Sequence, residues 1–132
     1  MNEFGVAAKA IIKDGDGRYL ILHKSDLEDV NPNEADIPGG RLEFGEDIKD
    51  CLAREVSEEV GLSVKIKEPT RVWGFVKQSL HLVGITFLAE VIGGEINLSS
   101  EHESYKWVTK EEIQSGEYPE WLKNEFLELD NC

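Results

Sequence analysis

The chain has 132 residues and a formal net charge of −13, with 40% hydrophobic and 31% charged residues. This length allows a substantial core, and these fractions are those of a soluble globular protein, so we expect one domain over residues 1–132. The strong negative charge argues against nucleic acid as a partner, because the phosphate backbone would be repelled.

Neither export nor membrane insertion is predicted from the sequence. No apolar run is long enough to span a bilayer, and the start at Met1 lacks the basic and apolar segments of a secretory signal. The two cysteines, Cys51 and Cys132, indicate no disulfide framework. We therefore predict a cytoplasmic protein that makes no contact with a membrane.

Runs of β-branched and aromatic residues, separated by turn residues, predict a chain rich in strands. The extended segments, in chain order, are residues 3–13, 19–23, 63–68, 71–76, 79–91, 95–98 and 103–108. The first two should form a hairpin around Asp14–Gly17, and Pro69 should end the third. The segment 79–91 is apolar enough for the centre of a sheet, whereas the polar residues 25–35 predict a loop.

The main helix is predicted to begin at Glu46 and Asp47 and to end before Gly61. Its apolar residues recur every four positions, the spacing of a buried stripe: Ile48, Leu52, Val56 and Val60. A short helix capped by Thr109 and a final helix over residues 119–129 follow later. Strands, helix, strands and helices in this order predict an α/β fold, an α/β/α sandwich with a mixed sheet.

Three carboxylates share one side of the main helix. Glu55, Glu58 and Glu59 fall within about 100° of arc, because residues three and four apart are neighbours on a helix. Like charges so placed destabilise a helix, and a divalent cation such as Mg2+ or Mn2+ would offset that cost. Arg54 could orient one carboxylate through its forked donors. The alternative interpretation is a solvated acidic face.

The stretch from Gly40 to Leu62 contains more fixed positions than an acidic face requires. It resembles the box that marks the Nudix (MutT-like) hydrolase family, and no position of that motif is missing. The matching residues are Gly40, Glu46, Arg54, Glu55, Val56, Glu58, Glu59, Gly61 and Leu62. The resemblance implies a Nudix-type α/β/α sandwich and divalent-metal-dependent hydrolysis of a diphosphate linkage in a nucleoside diphosphate joined to another group, X.

The resemblance also implies roles for particular residues. Glu55, Glu58 and Glu59 would hold Mg2+ or Mn2+, with help from a backbone carbonyl of Gly39 or Gly40. A later-loop carboxylate serves as metal ligand or general base in several relatives, and Glu101 is the candidate here, with Glu103 in reserve. The general base is then either Glu59 or Glu101. Glu46 and Arg54 would support the geometry of the box.

Substrate identity is less constrained than reaction class. Arg41, Lys24 and Lys77 are candidates for phosphate contacts, and each is equally consistent with a solvated surface cation. Aromatic residues such as Trp73 and Phe75 could stack on a base or belong to the core. A nucleoside triphosphate is the leading substrate, ahead of dinucleoside polyphosphates, ADP-ribose and nucleotide sugars. Either a monomer or a homodimer fits the sequence.

Two rival functions belong to other classes. A non-catalytic nucleotide-binding module with the same fold would be expected to lack some box carboxylates, and none is missing. An isopentenyl diphosphate isomerase-like enzyme shares the fold, but that family is longer and departs from the hydrolase box. Both rivals therefore fit the sequence less well than a hydrolase.

Overall fold

A computed structural model of the chain describes residues 1–26, 34–127 and 129. The strands of this part are β1 (Glu3–Lys13), β2 (Tyr19–Lys24), β3 (Ala35–Asp36), β4 (Gly39–Arg41), β5 (Leu62–Lys77), β6 (Leu80–Gly94) and β7 (His102–Val108). Its helices are α1 (Ile48–Val60), α2 (Lys110–Ser115) and α3 (Glu120–Leu127). Most of the loop predicted over residues 25–35, namely residues 27–33, lies outside the described part.

The strands form one mixed sheet in the order β3-β2-β1-β6-β5, with β4 paired to β1 and β7 paired to β2. β1 and β6 run parallel, and every other described pair is antiparallel. β6 lies between β1 and β5, as its apolar sequence predicts. The predicted hairpin of β1 and β2 is also present, joined through the pair of Lys13 and Tyr19.

Helices cover both faces of the sheet, which confirms the predicted α/β/α sandwich. Alternation along each strand sends successive side chains to opposite faces. One core holds α1 and includes Ala10, Ile12, Leu20, Leu52 and Val56. The other holds α2 and α3 and includes Ile11, Ile21, Ile113, Leu122 and Phe126. None of the described helices is long and apolar enough to cross a membrane.

The predicted start of the main helix is wrong by two residues. Asp47 has extended backbone angles, and its side chain accepts a hydrogen bond from the Asp50 amide at 3.2 Å, so it is the N-cap rather than part of the first turn. Glu46 precedes the helix, and its carboxylate accepts from the Glu43 amide at 2.8 Å. At the other end, Gly61 adopts φ 85°, the left-handed conformation that ends a helix.

Two strand predictions also need correction. Pro69 does not end a strand: β5 continues through it, opposite Phe87, with register shifts on both sides. These irregularities accommodate a residue that has no amide hydrogen for the ladder. Residues 95–98 form no strand, because their backbone is engaged elsewhere. The Asn97 amide donates to the Val60 carbonyl at 2.7 Å, at the C-terminal end of α1.

Candidate active site at the end of helix α1

The acidic side of α1 passes from solvent into the protein. The side chain of Glu58 is 58% exposed, that of Glu55 is 21% exposed, and Glu59 as a residue is only 6% exposed. The Gly39 amide donates to Glu59 Oε2 at 3.2 Å. The three carboxylates therefore lie at increasing depth, and the two deeper ones, Glu55 and Glu59, lie against β4.

Arg54 connects this acidic side to the segment before the helix. Its Nη2 donates to Glu46 Oε2 at 3.0 Å, and its Nη1 lies 3.2 Å from Glu58 Oε2 and 3.3 Å from Glu55 Oε1. The hydrogen bonds with Glu46 and Glu58 raise the pKa of Arg54 above its usual range. The guanidinium thus holds two of the three helix carboxylates in fixed positions.

The glycine pair of β4 lies directly against these carboxylates. Gly39 and Gly40 pair with Lys9 and Ala8 of β1. A Cβ atom on Gly40 would lie 2.5 Å from the carboxyl carbon of Glu55, closer than a real side chain permits. Glycine at this position therefore lets a carboxylate rest on the backbone, next to carbonyl oxygens that are suitable cation ligands.

A second cluster forms where α1 meets the loop before β7. Carboxylate oxygens of Glu59 and Glu101 and a ring nitrogen of His102 all lie within 4.8 Å of one another. The Ser99 amide donates to the backbone carbonyl of Glu59 at 2.9 Å, which fixes the loop to the helix. Glu101 is far from α1 in the sequence, yet its carboxylate lies beside that of Glu59 at the end of the helix.

The electrostatics of Glu59 are unfavourable without a cation. Burial raises the pKa of Glu59 to about 9, the negative charge of Glu101 adds to the rise, and Lys9 opposes it. Burial also raises the pKa of Glu55. A divalent cation would reverse these shifts, because it supplies the opposite charge that the buried carboxylates lack.

The ring of His102 is oriented by a hydrogen bond with the buried carboxylate of Asp36. Its Nε2 lies 3.1 Å from Asp36 Oδ2, while Lys9 Nζ donates to Asp36 Oδ1 at 2.7 Å. Burial would raise the pKa of Asp36, but the Lys9 charge and the hydrogen bonds from His102 and Lys9 outweigh it and lower that pKa to about 2. His102 Nδ1 is buried and has no hydrogen-bond partner within the described chain.

The donor set fits a divalent cation. Carboxylate oxygens suit Mg2+ and Mn2+, and a neutral imidazole backed by a carboxylate is a common metal ligand. His102 and Asp36 are difficult to identify from the sequence, because Asp36 is far from the box and its contact with His102 depends on the fold. The position of His102 next to Glu101 is the one available signal.

We predict that His102→Gln weakens Mn2+ binding to the metal-free protein by about tenfold or more, the range seen when a ligand or its support is lost. The cause would be the loss of a ring nitrogen beside Glu59 and Glu101. Titration calorimetry with Mn2+ measures the effect. His81→Gln, at an exposed histidine of β6, is the matched control. Equal Mn2+ affinity of wild type and His102→Gln would rule out the role of His102.

A cavity of about 630 Å3 lies beside β4 and is also lined by residues of β1, β5 and α3. Its lining combines the two β4 glycines with four basic residues and three aromatic residues: Lys9, Lys24, Arg41, Arg71, Trp73, Phe75 and Trp121. The rings of Trp73 and Phe75 are nearly parallel, with centroids 6.2 Å apart. Lys77 is not part of this lining; it lies at the end of β5, where the chain turns into β6.

Comparison with known proteins agrees with this fold. The family model described as the NUDIX domain matches residues 3–129. The chain therefore belongs to the NUDIX domain family, and it is a Nudix hydrolase, an enzyme class that generally uses divalent metals.

Individual relatives are similar but distant. The nucleoside triphosphatase NudI of Escherichia coli strain UMN026 is 29% identical over 110 residues, which cover 74% of this chain and 77% of that protein. The crystal structure of a MutT protein from Methanosarcina mazei matches with a TM-score of 0.84 and 28% identity, over 96% of this chain and 92% of that one. An Ap4A hydrolase from C. elegans shares the fold, with a TM-score of 0.74 at 22% identity over 94% and 93% of the two chains.

Proposed function

We propose that this Nudix hydrolase cleaves the diphosphate linkage of a nucleoside triphosphate. The observation that carries the proposal is a cavity lined by the β4 glycines, against which Glu55 and Glu59 lie, and by basic and aromatic side chains. A nucleotide needs all three: cation ligands at its phosphates, basic groups for the remaining charge and a flat surface for the base. The relative named nucleoside triphosphatase supports the same substrate class.

The carboxylates would hold the metal. Glu55, Glu58 and Glu59, with a carbonyl of Gly39 or Gly40, would bind Mg2+ or Mn2+. Bound cations of this kind neutralise the diphosphate and make a coordinated water more acidic. Arg54 positions Glu55 and Glu58 through the contacts described above.

The proton of the attacking water would pass to a carboxylate. Glu59 and Glu101 are both candidates, because their oxygens lie within 4.8 Å of each other and of the same His102 nitrogen. A carboxylate that remains ionised beside a bound cation can accept that proton directly.

The rest of the cavity would hold the other parts of the nucleotide. Arg41 and Lys24 line it and would contact phosphate, while Trp73 and Phe75 would offer parallel rings to a base. Lys77 remains a prediction outside the lining. Dinucleoside polyphosphates, ADP-ribose and nucleotide sugars are the alternative substrates, and a nucleotide-binding module without turnover is the alternative of a different class.

The test is release of phosphate or pyrophosphate from a nucleotide panel with Mg2+ or Mn2+. We expect turnover of at least one nucleoside triphosphate and its loss when EDTA removes the metal. Faster turnover of a dinucleoside polyphosphate or a nucleotide sugar would reassign the substrate. Binding of nucleotides by calorimetry with no turnover of any panel member would instead support the non-catalytic module.

A further inference from the structure

A partly buried ion pair lies in the wall of the cavity. Arg71 of β5 and Glu125 of α3 both line the cavity, and Arg71 Nη1 donates to Glu125 Oε2 at 2.6 Å. Glu125 is 3% exposed. The pair joins residues 54 apart in sequence, so it ties the sheet to the last helix.

The pair is only half satisfied. Glu125 Oε1 is buried and has no hydrogen-bond partner in the described part of the chain. Arginine and a carboxylate often pair through two parallel hydrogen bonds, which would use both oxygens. A buried acceptor without a partner destabilises the protein. A purely structural ion pair gains nothing from leaving this oxygen unpaired.

The surroundings of this oxygen suit a nucleobase. Trp73, Phe75 and Trp121 line the same cavity and supply aromatic surface. Carboxylate oxygens only accept hydrogen bonds, whereas Arg71 only donates them. Together they present one acceptor beside donors. The hydrogen-bonding edge of a base offers the complement, an N–H next to a carbonyl oxygen or ring nitrogen.

We propose that Glu125 determines specificity for the base of the substrate, accepting an N–H of that base through Oε1 while Arg71 holds Oε2. This inference deepens the proposed function and rests on it. It assigns selection of the nucleoside, through its base, to α3, on the opposite face of the sheet from α1. A phosphate compound without a base would leave Oε1 unpaired.

The first test changes the ligand rather than the protein. For the nucleoside triphosphate with the lowest KM, the analogue methylated at the ring N–H, or dimethylated at the amino group, removes the donor that Oε1 would accept. One hydrogen bond to a charged group corresponds to a rise in KM of about 10- to 100-fold. We expect wild type to show that rise with little change in kcat. An unchanged KM would overturn the proposal.

The second test changes the acceptor. Glu125→Gln can keep an oxygen toward Arg71 while it presents an amide N–H2 in place of Oε1. We expect the KM for the parent nucleotide to rise 10- to 100-fold, and the penalty for the methylated analogue to disappear. Glu120→Gln, at an exposed residue of the same helix, is the matched control and should keep both values. A methylation penalty that persists in Glu125→Gln would contradict the assignment.

The two levels of the hypothesis fail differently. If wild type hydrolyses nucleoside triphosphates but is indifferent to N-methylation, only the role of Glu125 is wrong. If wild type hydrolyses none of them with metal present, the proposed function is wrong and the role of Glu125 falls with it. Should Glu125→Gln fail to fold, the comparison of nucleotides on wild type alone still decides the question.

Discussion

Glu59→Gln should lower metal-dependent turnover by about 10²- to 10⁴-fold and, in metal-free buffer, make the protein more resistant to heat. Turnover falls because the amide can neither hold a cation strongly nor accept the proton of water. Stability rises because burial and Glu101 raise the pKa of Glu59 from 4.5 to about 9, so folding opposes its ionisation. A neutral amide removes that penalty.

The sign of the pH dependence follows from the same shift. The folded protein holds a proton that the unfolded chain releases above pH 4.5, so the penalty grows as the pH rises toward 9. The gain in melting temperature of Glu59→Gln should therefore be larger at pH 8 than at pH 5. Thermal unfolding in EDTA at both pH values measures it. Glu68→Gln, at an exposed position of β5, should change neither turnover nor the melting temperature.

A variant that loses activity and also unfolds at lower temperature in EDTA would contradict this account. Glu59 would then be a carboxylate that stabilises the fold, for example through the hydrogen bond from the Gly39 amide. Mn2+ titration of the same variant separates the two possibilities, because a metal ligand must also reduce cation affinity.

The two glycines of β4 should respond to alanine in different ways. In Gly39→Ala the new Cβ would meet the Ala8 carbonyl oxygen and lie 2.8 Å from the Lys9 Cα, both backbone atoms of β1. The β1–β4 pairing must shift, at a cost of about 1–3 kcal/mol in the free energy of unfolding. In Gly40→Ala the new Cβ meets the side chain of Glu55, which can rotate away.

We therefore expect Gly39→Ala to lower the melting temperature by several degrees, whereas Gly40→Ala keeps most of the stability but loses activity because Glu55 is displaced. Urea unfolding and turnover with Mn2+ measure the two effects. Gly15→Ala is the control, since a Cβ there meets no atom within 4 Å. Equal stability losses in Gly39→Ala and Gly40→Ala would show that the Glu55 side chain cannot rotate away.

Periodicity and turn chemistry carried most of the fold prediction. The buried stripe of α1 and the apolar run of β6 follow from the spacing of Leu52 and Val56 and from the composition of residues 79–91. The predicted strand end at Pro69 was wrong because the effect of a proline depends on the partner strand. Opposite Phe87, β5 continues through Pro69 with register shifts on both sides. The sequence does not show whether α1 begins at Glu46 or after Asp47. The extended backbone angles of Asp47 place the first helical residue at Ile48.

The parts of the site that come from one helix were predictable from the sequence, whereas the contacts between distant segments were not. Glu55, Glu58 and Glu59 share one helix, so their proximity is a matter of spacing. The approach of Glu101 to Glu59, by contrast, depends on backbone bonds between the loop before β7 and the end of α1. The pairs of Asp36 with His102 and of Arg71 with Glu125 join distant segments, and no sequence period reports them.

The bonds from Asn97 and Ser99 to the last carbonyls of α1 have a consequence for ligand capture. They fix the segment before Glu101 to the end of α1. The segment is therefore already ordered when a cation binds. The entropy cost of ordering that loop arises during folding and therefore does not weaken cation binding. A change in the number of residues between Leu98 and Glu101 would therefore alter cation binding even though it replaces no ligand.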